Sequence, residues 1–198
     1  NNYLALKNIN FVAKKGELSC VIGKVGSGKS SFIKSMLGDL YKYQGQLSIH
    51  GKVAYVSQVA WIMNGTIKEN ILFGHKYDPI LYEKVLFACD LNVDLKNFVD
   101  GDLTQVGEKG ISLSGGQKAR LSLARAIYAG ADLYLLDDPL AAVDEHVGKH
   151  LIDHVFGEKG MLHHKCKVLV TNSVHFLHIA HNISMLEDGE IIEQTSTK

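Results

Sequence analysis

From Leu4 to Val12 apolar and polar residues alternate, the pattern of a half-buried strand. Lys14-Lys15-Gly16 reads as a turn. Leu18 to Ile22 is a short apolar run that feeds a glycine-rich loop, after which Gly28 to Leu37 reads as a helix. Gln46 to Ile49 and Val53 to Val56 read as further strands, separated by Gly51. From about Ile67 to Phe98 the spacing turns helical, with Pro79 at a helix start, so this stretch is expected to form a helical lobe. Ser114 to Ala129 predicts an amphipathic helix capped by Ser114, with Leu121, Leu123, Ala124 and Ile127 on its apolar face. Leu133 to Leu136 reads as a buried strand and Val143 to Phe156 as a helix weakened by Gly148. Lys167 to Thr171 and Ile183 to Leu186 are strand-like, and Asp188-Gly189 turns a hairpin into Glu190 to Glu193. Strands alternating with helices imply an α/β fold whose mostly parallel sheet carries helices on both faces.

Composition narrows the class. A chain of 198 residues fits one domain with an inserted lobe, and 46% hydrophobic content fills a core. Charges balance at 21 against 21, so nothing electrostatic points to a nucleic acid. Cys20, Cys89 and Cys166 are odd in number and widely spaced, which argues against a disulfide framework and fits a reducing cytosol. No run of apolar residues is long enough to span a bilayer, and the start lacks a signal-peptide pattern. It opens directly on strand-like sequence, so the chain is expected to be part of something longer.

Three segments carry chemistry. Gly23-Lys24-Val25-Gly26-Ser27-Gly28-Lys29-Ser30 has the form of a phosphate-binding loop between a strand and a helix. Gly26 and Gly28 let the backbone curl so that amide N–H groups face phosphate, and the helix start adds its positive dipole end. Gly23, Ser27 and Ser31 complete the cradle. Lys29 is expected to reach the β- and γ-phosphates of ATP, and the Ser30 hydroxyl to meet Mg²⁺. Leu133-Tyr134-Leu135-Leu136-Asp137-Asp138 is an apolar strand ending in carboxylates. Asp137 suits the Mg²⁺ shell, and Asp138 stands where a general base would orient water. The plainer reading is that acidic residues before Pro139 merely start a turn. Leu113-Ser114-Gly115-Gly116-Gln117 heads the long helix. Its hydroxyl and amides can bind an anion, and it reads as an opposite-facing half-site for a partner's γ-phosphate. A serine cap alone would not explain two glycines that weaken a helix start.

Other clusters read as surface. His146, His150 and His154 share a helix face and could mimic a metal site, but a solvated face explains them; His163, His164 and Cys166 are similar. Trp61 fits either simple core or a partner-contacting anchor.

Together the three segments resemble the nucleotide-binding domain of ATP-binding cassette (ABC) transporters, over nearly the whole of residues 1–198. The resemblance implies a P-loop NTPase core with an antiparallel β edge and a helical subdomain at about 67–130. It implies that Gln58 contacts Mg²⁺ and water and links to transmembrane domains, and that Ala141-Ala142-Val143-Asp144 is the D-loop. Thr104-Gln105-Val106-Gly107-Glu108 resembles the exporter segment ahead of the signature. The wording from Val53 to Gly74, with Asp137-Asp138-Pro139-Leu140, is similar to the first nucleotide-binding domain of the multidrug-resistance-associated (C) subfamily. Gly107 to Leu113 and Asp144 to Val147 are similar to fungal vacuolar exporters of glutathione conjugates and cadmium.

Two positions depart from the general pattern. Asp138 stands where glutamate is usual, and its carboxylate is one methylene shorter. Asn172 follows Thr171 where a switch histidine is usual; His175, three residues on in an expected helix, is no substitute. By resemblance, this domain's own ATP site binds nucleotide and hydrolyses poorly. Its LSGGQ segment completes the site of a second nucleotide-binding domain, and the whole works on the cytosolic face of a vacuolar membrane. The aromatic that stacks adenine is expected upstream of residue 1, with Tyr3 a weak substitute. Two other readings use the same motifs: a nucleotide-gated module that never hydrolyses, and a soluble ABC ATPase.

Overall fold

A computed structural model describes residues 3–197. These fall into two compact units. The first holds the residues up to Tyr55, then Asp132–Asp138, then those from His164 onward; the second holds Val56–Ala131 and Pro139–His163.

The first unit is built on a six-stranded sheet. Its strands are β1 (Leu18–Ile22), β2 (Val53–Val56), β5 (Leu133–Asp137), β6 (Cys166–Thr171), β7 (Asn182–Glu187) and β8 (Glu190–Ser196), in the spatial order β2-β5-β6-β1-β7-β8. β1 runs parallel to β6 and β7, β5 runs parallel to β6, and β8 closes one edge antiparallel to β7. β1 and β5 are almost wholly apolar, broken only by Ser19 and the terminal Asp137, because nearly all of each strand is buried on both faces. Helix α1 (Lys29–Leu37) inserts Phe32 and Ile33 among Val21, Leu135, Val168 and Val170. Each such fully buried side chain contributes about 1.5–3 kcal/mol. The helix stops at Gly38, whose left-handed backbone returns its N–H to Lys34 and Ser35 carbonyls. The turn joining β7 to β8 places Asp188 at φ 47 and Gly189 at φ 78, the two positive angles of a type I′ hairpin.

The second unit is mostly helical. It contains α2 (Ile67–Leu72), α3 (Pro79–Ala88), α4 (Asn92–Asn97), α5 (Gly115–Ala129) and α6 (Glu145–Leu151), with a small ladder of β3 (Gly65–Thr66) and β4 (Gln105–Val106). A 3₁₀ turn covers Gly101–Leu103. Asp78 caps α3 by accepting from Ile80 and Leu81 N–H, and Pro79 takes the first helical position. The four apolar residues expected to face inward on α5 are all buried.

Several sequence-based elements differ. Residues 4–12 form no strand: burial does alternate from Ile9 to Ala13, but Asn8 turns to φ 50 and the strand ladders of the sheet leave this segment out. Instead Leu6, Ile9 and Phe11 pack on the core, and the Lys7 N–H donates to the Gly189 carbonyl. Gln46 to Ile49 likewise belongs to none of the strand ladders, although Ile49 packs on the core. The helix read from Val143 begins at Glu145, after an Asp144 cap, and widens into a π-helical turn over Ile152–Phe156. His175 lies in a run of turns, not a helix.

The cysteines are unpaired. Cys20 in β1 and Cys89 after α3 are fully buried, while Cys166 opens β6 half-buried. Among the described residues no helix is long and apolar enough to cross a membrane.

Candidate nucleotide site

Parallel strands bring their C-terminal ends to one edge, and register decides which residues meet there. Ile22 aligns with Thr171, and Asp137 with Val170. The glycine loop after Ile22, Asp138 after Asp137 and Asn172 after Thr171 therefore leave the sheet together. This is the edge at which open α/β sheets take ligands.

The loop is shaped from inside and behind. Lys29 Nζ donates to the Gly23 carbonyl and, at 3.0 Å, to that of Lys24, so the ammonium sits within the curl. Burial lowers its proton affinity, and the charges of Asp138 and Asp137 partly restore it. Gly28 precedes α1 at φ 107 and brings no side-chain cap, leaving the first-turn N–H groups to an outside acceptor. Behind it, the Gly189 N–H donates to the Ser27 carbonyl at 2.9 Å, so the β7–β8 hairpin braces the loop. A methyl at Gly23 would collide with Ser27 Oγ and the Leu186 carbonyl. Ser27 Oγ is buried without a hydrogen-bond partner. Free donors, a cationic side chain and an unpartnered hydroxyl fit a polyphosphate. Ser30 is exposed and Ser31 half-buried.

Burial raises the Asp137 carboxyl above its ordinary range, the neighbouring Asp138 adds to this, and Lys29 opposes it. A divalent cation would reverse that shift, so Asp137 and Ser30 are suited to Mg²⁺. Asp138 occupies the left-handed region at φ 44, where few non-glycine residues sit. Two bonds hold it there. Its N–H donates to the Val170 carbonyl at 2.8 Å, and the buried Thr171 hydroxyl donates to its Oδ1 at 2.9 Å. The Thr171 oxygen in turn accepts from the Ser173 N–H at 2.9 Å. Asn172 is exposed, unlike the buried Thr171 before it.

The second unit carries Gln58 and the signature segment. Gln58 is exposed. Ser114 caps α5: its Oγ accepts from Gln117 N–H at 3.1 Å, and Gln117 Oε1 accepts from Ser114 N–H at 2.9 Å. Ser114 and Gly115 are exposed; Gly116 and Gln117 are half-buried. A methyl at Gly116 would stand 2.9 Å from the Ala142 carbonyl, so the segment at 141–144 packs directly on the helix start.

Other residues are legible only in the structure. Arg125 donates through Nε to the Asn70 carbonyl at 3.0 Å and through its terminal nitrogens to Asn70 Oδ1 and the Trp61 carbonyl. Its guanidinium lies 3.9 Å from the centre of the Trp61 ring, which meets Phe73 edge-on. Trp61 is thus held firmly yet remains 51% exposed. Nothing in the spacing of Asn70 and Arg125 announces that clamp. His150 and His154 lie tilted against each other and meet Phe87 edge-on, and His150 Nε2 lies 2.7 Å from the Phe87 carbonyl. Among the described residues no group of three or more His, Cys, Asp or Glu could hold a metal ion.

A phosphate loop, a carboxylate pair at the neighbouring strand end and a serine-capped LSGGQ helix define an ATP-binding domain of the ABC type, and residues 6–141 match the ABC transporter family. The chain belongs to that family. It is 66% identical over 191 residues to the metal resistance protein YCF1 of Saccharomyces cerevisiae, covering 96% of this chain and 13% of that protein. It is 53% identical over 189 residues to the vacuolar heme ABC transmembrane exporter abc3 of Schizosaccharomyces pombe, covering 96% and 13%. It is 52% identical over 191 residues to ATP-binding cassette sub-family C member 2 of Mus musculus, covering 96% and 12%. The chain therefore spans about an eighth of the length of these relatives.

Proposed function

We propose that residues 1–198 form the first nucleotide-binding domain of a C-subfamily membrane exporter, with a helical subdomain at about 67–130. Mg-ATP binding and hydrolysis would drive glutathione S-conjugates and metal–glutathione complexes from the cytosol into the vacuole. The metal-resistance and vacuolar-exporter names of the 66% and 53% identical relatives support this class of cargo and this membrane. The partners are a second nucleotide-binding domain, arranged head to tail, and the transmembrane domains, reached through Gln58 and its neighbours. The balanced charge gives no footprint for nucleic acid. This domain works without entering the bilayer.

In this reading the backbone of Gly23 to Gly28 and Lys29 hold the phosphates of ATP. Ser30, Asp137 and Gln58 hold Mg²⁺, which when bound neutralises phosphate charge. Ser114, Gly115 and Gly116 offer donors to the nucleotide of the second domain. The two half-sites differ in their chemistry. One observation carries that asymmetry: Asp138 is short, and its carboxylate is engaged by Thr171 at 2.9 Å. A site whose base is held back in this way, and which carries Asn172 in place of a histidine, holds nucleotide better than it activates water. The domain then acts mainly through its LSGGQ helix, and turnover occurs mainly at the other composite site.

The test is nucleotide occupancy at the Lys29 site of the whole transporter. Labelled Mg-ATP is loaded, many turnovers pass, and the bound nucleotide is identified. Retained ATP is the expected result. ADP appearing at the pace of overall turnover would show Asp138 to be a working base. The same asymmetry at its limit gives a nucleotide-gated module that never hydrolyses, and ATP retained at both composite sites would identify it.

A further inference from the structure

A carboxamide has one accepting and one donating end of nearly the same shape, so only its partners decide which way it faces. Gln117 is such a group at a sensitive place. Its Oε1 must face the Ser114 N–H to close the capping box. Its other end, Nε2, donates to Asp94 Oδ1 at 3.0 Å. An ionised carboxylate only accepts, so Asp94 permits one orientation of Gln117 and excludes the other.

Asp94 is in turn held as a carboxylate. Arg120, one helical turn beyond Gln117, pairs with both its oxygens, through NH1 to Oδ2 and through NH2 to Oδ1 at 3.1 Å. Arg120 NH1 is itself fixed by the Asp90 carbonyl at 2.6 Å. Burial raises the Asp94 carboxyl, and the bonds from Arg120 and Gln117 outweigh burial and leave it below its ordinary range. The chain of contacts then reaches the exposed end. The Gln117 backbone N–H donates to Ser114 Oγ, which uses a lone pair and turns the hydroxyl proton to an outside acceptor.

We propose that Asp94 is the positioning residue of the signature half-site: through Gln117 it sets the capping box, and with it the direction of the Ser114 hydroxyl toward the phosphate brought by the second nucleotide-binding domain. The assignment rests on the reading that the LSGGQ helix serves that second site. Asp94 touches no nucleotide itself.

The test exploits the directionality of the bond in the full-length transporter, with ATP turnover counted per molecule able to photolabel with an azido-ATP. Asp94→Asn removes the carboxylate that excludes the flipped Gln117 and leaves the Ser114 N–H alone to orient it, and Gln117→Glu sets two acceptors against each other. Each is expected to lower turnover about 10-fold with the KM for ATP little changed. The double substitution restores complementarity. Its new carboxylate accepts from Ser114 N–H and from the new amide, and lies one turn from Arg120. Recovery to within about 3-fold of the unsubstituted transporter is the expected result. A double variant as impaired as the product of the singles would overturn the assignment. Ser114→Ala separates the two ideas. If it leaves turnover unchanged, the signature reading itself fails. If it lowers turnover while the double variant shows no recovery, only the role of Asp94 falls.

Discussion

Thr171 and Asp138 stand 33 positions apart in sequence and 2.9 Å apart at the strand ends. Asp138 stands out only against the family pattern and Thr171 not at all, so the bond between them had no local signature. Motif residues such as Lys29 and Ser114 were legible because their chemistry depends on spacing within a few residues. Asp94 with Arg120, and Asn70 with Arg125, depend on pairings across 26 and 55 positions. Asp138→Glu with Asn172→His is expected to raise hydrolysis at the Lys29 site about 10-fold, measured as ADP formed there in single turnover. Gly189→Ala would strain a residue at φ 78, collide with the Ala5 carbonyl and disturb the brace behind Ser27. It is expected to cost about 2 kcal/mol in urea denaturation and to weaken ATP binding. Lys167 is 1% exposed, and burial lowers its pKa from 10.5 to about 8. Between those values the unfolded chain binds more protons than the folded one, so stability should rise with pH across that window. The gain is up to about 3 kcal/mol, and Lys167→Met should flatten the slope of stability against pH.

Elements announced themselves where one pattern had one physical cause. β1 and β2 fall on their expected bounds, and Asp78-Pro79 starts α3 as capping chemistry dictates. Alternation at Leu4 to Val12 and the short run at Gln46 to Ile49 misled, because a strand needs a neighbour and the pattern of side chains says nothing of one. Leu6, Ile9, Phe11 and Ile49 do pack half-buried on the core, but Leu4, Val12 and Leu47 are exposed and the ladder is not there. The π-helical turn at Ile152–Phe156 was invisible for a related reason: one extra residue in a turn leaves hydrophobic spacing almost intact. Caps can be tested singly. Asp78→Ala removes the acceptor for Ile80 and Leu81 N–H and is expected to lower stability by about 1 kcal/mol in denaturant titration.

For the whole molecule, the division into two compact units interleaved along the chain could not be derived from periodicity, since each unit is assembled from distant segments. Protection should follow the ladders. Amides of β1, β5 and β6 are expected to exchange slowest, and those of residues 41–50, which no strand pairs, fastest. Rapid exchange in β6 would contradict this. The unpaired cysteines extend the same logic to chemistry. Burial pushes the Cys20 thiol up to about 12 and the Cys89 thiol beyond its ordinary range, so neither forms thiolate while folded. Cys166, half-buried, should react first. Cys20 belongs to the sheet unit and Cys89 to the helical unit. Each unit thus carries its own internal clock: pulse alkylation read by mass would time the opening of either one without any label being added, and matched rates at the two thiols would mean that a single cooperative event exposes both.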